Sequence, residues 1–302
     1  MGLMKTRRLA AMHPPPQRLR RTGKQQRAKA ADEGRFSHCP AAVVRFRKAG
    51  GGMNLIQEEL ELAKSQMFDL IPGTGLIELS KKNVAKVEAI IQNDSAYIKS
   101  SDKDACAQGG YKGSTAYWMT RLKPILLGAE SVADEYYDDV LSNAIQAVDR
   151  DNSTHLNADG VGRDEMLDRI KKIPVSLLVE YLKCPRESKY HLINLLSQAT
   201  HPNDSKHKPR TNLSFASKFC HYACFYLFEG ELEQDNYSIY DNVVLRALPR
   251  YCDYYKVSKP SSFARDYLVY QTTIDEIIKA AGGLISRNGF DHLLWYYFKG
   301  RD

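Results

Sequence analysis

The stretch Thr211-Asn-Leu-Ser-Phe-Ala-Ser-Lys-Phe-Cys-His-Tyr-Ala-Cys-Phe-Tyr-Leu-Phe228 decides how this chain folds. Its apolar and aromatic residues run for the length of a helix, which the sequence opens near Ser214, a residue able to cap the free amides of a first turn. Lys218 then falls in that first turn, flanked by Phe215, Phe219 and Tyr222. Aromatic surroundings strip solvent from an amine and a helix N-terminus adds positive potential; both favour the neutral form. A neutral amine at pH 7 is what nucleophilic amine chemistry requires. Upstream, Lys206, His207, Lys208 and Arg210 make a basic approach to the same helix end, where phosphates bind readily. Downstream, Ser238-Ile-Tyr-Asp241 ends on an aspartate placed to cap a helix over 242–248. Taken singly, such a lysine reads as a solvated face and such an aspartate as a cap.

Outward from this segment the pattern is helical. Apolar residues at helical spacing predict helices over 54–68, 81–91, 116–127, 132–148, 163–173, 175–182 and 191–199, with a short aromatic helix over 287–299. Ile71-Pro72-Gly73-Thr74-Gly75 breaks the first two apart, and 93–114 reads as loop. Period-two alternation is scarce, so the expected class is all-α. Three regions are expected: a basic leader over 1–52, an N-terminal helical lobe over 53–200 and a catalytic lobe over 201–302.

Charge sharpens this division. The formal net charge is +7, but residues 1–52 hold 13 Lys and Arg against 2 Asp and Glu, a net of +11. The remaining 250 residues hold 30 against 34, a net of −4, so overall basicity is no argument for nucleic acid. Within the rest, 53–170 carries 12 basic and 20 acidic residues and 171–302 carries 18 and 14, which directs a polyanion to the second half. The leader, with Pro14-Pro15-Pro16 and little apolar periodicity, cannot bury enough surface to order itself. Gly50-Gly51-Gly52 before Met53 reads as a translated ribosome-binding site, making Met53 the expected natural start in a bacterial cytoplasmic protein. It lacks the ~7–15-residue apolar core of a secretory signal. No run approaches the ~18 apolar residues of a membrane-spanning helix. The six cysteines include no CxxC pair; Cys220 and Cys224 share a helix face without further ligands, so free thiols are expected.

The Lys218 and Asp241 segments resemble the catalytic core of the helix-hairpin-helix DNA glycosylases, in the 8-oxoguanine DNA glycosylase branch. In that superfamily an L-P-G-V-G-x-K hairpin leads into the helix of the nucleophilic lysine, and a V-D step about twenty residues later supplies an aspartate at the next helix start. Here Ser217-Lys218 opens the apolar helix and Asp241 follows 23 residues on. Ser214 and Ala216 stand where the hairpin glycines would be, and Leu213 replaces the proline. The resemblance implies a two-lobed helical fold without cofactor, metal or iron–sulfur cluster, acting as a monomer on duplex DNA with a flipped nucleotide. Lys218 would be the nucleophile and Asp241 the catalytic carboxylate, in a glycosylase with AP lyase activity. Lys206, Lys208, Arg210, Ser214 and Ser217 would meet DNA, and His221, Phe290 and His292 would line a base pocket closed by the C-terminal helix. Ile71–Gly75 imitates the hairpin but lies far from any Lys–Asp pair. Two other readings remain open: a defence glycosylase acting on hypermodified bases of viral DNA, and a non-catalytic helical DNA-binding module.

Overall fold

The computed structural model describes residues 67–93, 113–128, 132–156, 161–201, 209–261 and 265–299. The leader over 1–52, most of the first expected helix, Lys206 and Lys208 lie outside them. Among the described residues the chain is helical, as its periodicity predicts. The ten α-helices are α1 (Lys81–Asn93), α2 (Thr115–Leu126), α3 (Asp134–Asp151), α4 (Gly162–Lys171), α5 (Val175–Lys183), α6 (His191–Leu196), α7 (Leu213–Leu227), α8 (Asn242–Tyr255), α9 (Tyr267–Ala280) and α10 (Arg287–Phe298). A single 3-10 turn, Leu232–Asp235, lies between α7 and α8.

Helix α7 is central because it has no polar face. Phe215, Ala216, Phe219, Cys220, Ala223, Cys224 and Leu227 point in several directions around the axis and all are buried. A helix apolar all round must be enclosed, and α2, α3, α5 and α6 pack around it. One hydrophobic cluster runs from Phe68 through α7 to Phe298, drawing on helices from both sides of residue 200.

The structure adds three features to the sequence reading. Helix α9 was not expected; its Tyr and Thr residues mask the apolar spacing, yet Tyr267, Tyr270, Gln271, Thr273, Ile274, Ile277 and Ile278 are buried. Helix α8 runs to Tyr255 rather than ending near residue 248, carrying Pro249 inside it. The segment Ile71–Gly75 turns a small antiparallel hairpin, β1 (Leu70–Ile71) paired with β2 (Leu76–Ile77). Gly73 and Gly75 sit at φ 72° and 64°, a region glycine enters without steric cost. The resemblance to a DNA-binding hairpin therefore ends at composition: this turn docks on α8 and α10. Tyr251 Oη donates to the Ile77 carbonyl at 2.9 Å and Arg250 to that of Thr74 at 3.1 Å.

A buried asparagine pins the hairpin to α1. Asn83 is fully buried; its amide donates to the carbonyls of Asp69 (2.8 Å) and Glu78 (2.9 Å), and its oxygen accepts from the Asp69 amide at 3.1 Å. Asn83→Ala removes three hydrogen bonds to partly buried backbone groups, so it should destabilise the protein by about 2–3 kcal/mol in urea or thermal unfolding. A loss under about 0.5 kcal/mol would show that the hairpin is held by apolar contact alone.

Candidate functional site

Helix α7 brings Lys218 to the start of α8. Lys218 lies in the second turn, two residues deeper than the sequence places it, because the helix begins at Leu213 after the N-cap residue Asn212. Ser214 does not cap. It sits half-buried in the first turn, and Asn212 spends its amide on the Gln198 carbonyl at 3.0 Å. The Lys218 side chain is buried and its ammonium donates in two directions: to Asp241 Oδ2 at 3.3 Å and to the Asn152 carbonyl at 3.1 Å. Asp241 is the N-cap of α8, as expected. Its Oδ1 accepts from the Val243 amide at 2.8 Å, leaving Oδ2 for the lysine.

The carbonyl of Asn152 is delivered by a tight loop after α3. Ser153 and His155 adopt φ of 50° and 56°, uncommon for residues with a side chain. Buried Asp149 holds them there: Oδ1 accepts from the Thr154 hydroxyl (2.6 Å) and the Leu156 amide (2.8 Å), and Oδ2 from Arg163 (2.9 Å). Burial alone would raise the Asp149 pKa, but those donors together hold it below the usual carboxylate value. Tyr222, one turn beyond Lys218, donates to Asn152 Oδ1 at 2.8 Å, so α7 grips this loop at two points.

Asp241 arrives through an extended crossing whose backbone is bonded almost entirely to side chains. The Tyr237 carbonyl accepts from His221 Nδ1 at 2.7 Å. The Ser238 amide donates to Gln271 Oε1 at 3.0 Å, and the Ser238 carbonyl accepts from Tyr267 at 2.6 Å. The Ile239 amide donates to Asp291 Oδ2 at 2.6 Å, and its carbonyl accepts from Tyr270 at 2.6 Å. The Tyr240 amide donates to Ser217 Oγ at 3.0 Å. Three helices, α7, α9 and α10, supply these six side chains.

Several of the expected DNA and pocket contacts are instead internal. Ser217 is fully buried and spends its hydroxyl on the Tyr240 amide and the Ser214 carbonyl, so it is a brace rather than a phosphate contact. His221 is buried against the Tyr237 carbonyl and lines no open pocket. Phe290 is a core residue, fully buried and edge-on to Tyr251 at 6.3 Å between centroids. Arg210 is exposed, its carbonyl bonded to the Thr200 amide at 3.1 Å. Of the pocket candidates, His292 alone retains some exposure, although its Nδ1 is buried and finds no partner among the described residues. Among those residues no cluster of three His, Cys, Asp or Glu could hold a metal ion.

Sequence reasoning missed Asn152, Asp291 and Lys299. Asp291 had a legible signal, a carboxylate inside the apolar run of α10. Lys299 sits 3.7 Å above the Trp295 ring, and Trp295 is 38% exposed. Desolvation lowers the Lys299 pKa; the Asp241 carboxylate opposes that shift and the Lys218 charge reinforces it. No helix among the described residues is long and apolar enough to cross a membrane.

Burial also sets a pH dependence. It pulls the pKa of His221 down and that of His292 to about 4, with mutual repulsion adding to the second. Both are neutral in the fold, whereas in the unfolded chain they protonate near 6.5. Stability present above pH 6.5 is therefore lost as pH falls toward 4, because only the unfolded state takes up the protons. The two histidines push melting temperature down across this window while buried Asp291 pushes the other way, so the check is a difference: His292→Leu should gain melting temperature relative to wild type from pH 6.5 to pH 4, and an unchanged difference would mean that His292 charges freely in the folded protein. Compared with known proteins, the chain matches no family model, no curated protein and no solved structure.

Proposed function

We propose that the chain is a DNA glycosylase with AP lyase activity, in which Lys218 is the nucleophile and Asp241 the catalytic carboxylate. The observation that carries this reading is the 3.3 Å approach of Lys218 Nζ to Asp241 Oδ2, from residues 23 apart on successive helices. It is the pairing that the resemblance to helix-hairpin-helix glycosylases requires. A base stacked in duplex DNA is out of reach, so the target nucleotide must be flipped out first. The Lys218 amine, its proton passed to Asp241 or solvent, then forms a bond to C1′ of the sugar. The glycosidic bond breaks, and its electron pair leaves with the base, which takes up a proton. Asp241 stabilises the positive charge that develops on the sugar. The C1′–O4′ bond of the resulting adduct then breaks, O4′ taking up a proton as the sugar ring opens, to give a protonated Schiff base between Lys218 and C1′; loss of a proton from C2′ expels the 3′-phosphate and cuts the strand. The base removed is an oxidised purine such as 8-oxoguanine by the resemblance, or a hypermodified base of viral DNA in a defence role. Exposed Arg210, with Lys206 and Lys208, supplies phosphate contacts.

A second reading is favoured by the burial of Lys218 and its bond to the Asn152 carbonyl: the pair is a structural ion bridge in a non-catalytic DNA-binding module. Stability does not separate the two. Asn caps about as well as Asp, yet Asp241→Asn strands a buried ammonium and lowers the melting temperature in either case. Covalent chemistry separates them. Borohydride should trap the wild-type protein on abasic or 8-oxoguanine duplexes, and Lys218→Gln should abolish the adduct while preserving the fold. Asp241→Asn should slow base release by about 10²–10³-fold. No adduct on abasic, oxidised or hypermodified viral DNA would leave the structural reading in possession.

A further inference from the structure

Asp291 is buried to 2% exposure in the apolar run of α10. Its Oδ2 accepts the Ile239 amide at 2.6 Å, two residues before Asp241. Its other oxygen, Oδ1, is buried and finds no hydrogen-bond partner among the described residues; the same holds for the hydroxyl of Ser238 next to Ile239. A carboxyl group is a costly way to accept one amide in a core, since Asn, Gln or a hydroxyl would do so without risk of a buried charge. The Ser238 and Tyr240 amides of the same crossing go to such neutral acceptors, Gln271 Oε1 and Ser217 Oγ. Asp291 is thus the one acid among the six side chains that shape the approach to Asp241.

We propose that Asp291 is a positioning residue for the Lys218–Asp241 pair: through the Ile239 amide it fixes the turn that aims Asp241 Oδ2 at the Lys218 amine. The geometry gives it leverage. Ile239 is clamped on both sides, by Asp291 at its amide and Tyr270 at its carbonyl, and the next amide, Tyr240, is clamped by Ser217 from the lysine's own helix. Lysine and aspartate are therefore referenced to one another through Ser217, and to α10 through Asp291. Release of the Ile239 amide frees the turn to rotate, while Val243 can still be capped by Asp241 Oδ1. The cap survives and the aim is lost. The field around Asp291 points the same way: burial pushes its carboxyl well above the usual carboxylate range, Asp235 and Asp241 push further, and the Ile239 bond and Arg287 oppose them. A group raised in this manner weakens the fold as pH rises above the ordinary carboxylate range. Asp291→Asn should then be as stable as wild type or more so at pH 7.

The inference rests on the glycosylase reading for its kinetic consequence, but not for its structural one. In Asp291→Leu, hydrogen exchange of the peptide spanning 237–241 should quicken by about tenfold or more. Single-turnover base release should fall by about 30-fold with affinity for lesion DNA within about threefold of wild type, the mark of a misaimed group. Asp291→Asn, which keeps an oxygen for the Ile239 amide, should restore both. Should the leucine variant not fold, Asp291→Ser, too short to reach the amide, takes its place. Exchange unchanged in Asp291→Leu or Asp291→Ser, or equal losses in Asp291→Asn, would overturn the assignment. A wild-type protein that traps no DNA would sink the glycosylase reading, and the exchange comparison would still decide whether Asp291 sets the turn.

Discussion

The structure depends on the hydrogen-bonded crossing from Tyr237 to Asp241. A chain that passes through a core outside helix or sheet carries an amide and a carbonyl at every residue, and each must find a partner. Here the partners are side chains, and most are long enough to reach in from neighbouring helices. Tyr237, Tyr251, Tyr267 and Tyr270 all end in a hydroxyl donating to a backbone carbonyl. Each combines a large apolar ring with one polar tip, so it fills the core and serves the backbone together. Tyr267 and Tyr270 serve the crossing itself, while Tyr237 and Tyr251 serve the carbonyls of Tyr181 and Ile77. Burial raises the pKa of all four phenols, which keeps them as donors.

The same logic explains what could be read from the sequence. Helices with one apolar stripe, such as α3 and α5, were legible because their burial is written in spacing. Helix α7 was legible because a run without a polar face has nowhere to go but the interior. Helix α9 was not, since its buried face includes Tyr267, Tyr270 and Gln271, whose polar tips bond to the crossing, and Thr273, whose hydroxyl is spent on the Val269 carbonyl of the same helix. Its identity as a helix is recoverable only with its partner segment in view. The two strands flanking Ile71–Gly75 were not legible for another reason, since two residues are too few to show a period of two. Glycine spacing reports permitted backbone angles, not the surface against which the turn is placed.

At the site, the identity of the pair was legible and its environment was not. Lys218 and Asp241 stand out by residue type and separation. The carbonyl of Asn152 could not be foreseen, because it comes from a loop 66 residues away that is bent by Asp149, Thr154 and Arg163. Ser217 and His221 were legible as polar residues beside a lysine, and sequence alone assigns such residues to the solvent side. Their neighbours on α7 are apolar on every side, however, so they had to be internal braces.

Ion-pair energetics constrain what this arrangement is for. Taking an ammonium and a carboxylate out of water costs several kcal/mol per ion, and their attraction repays this only with good geometry and further hydrogen bonds. At 3.3 Å, with a carbonyl on one side and a helix N-terminus on the other, the pair has those supports. Well-packed apolar residues in the same space would hold α7 against α8 at least as firmly. Stability therefore gives no reason for a lysine in an apolar helix, nor for a loop with two left-handed residues bent to meet it. What the charged pair offers and an apolar contact does not is an amine held in a fixed direction next to a base. Under the proposed glycosylase reading that is what chemistry at Lys218 requires, and the surrounding braces serve it: Asp149 shapes the loop, Ser217 ties the crossing to the lysine's helix, and Asp241 divides its two oxygens between the cap and the amine.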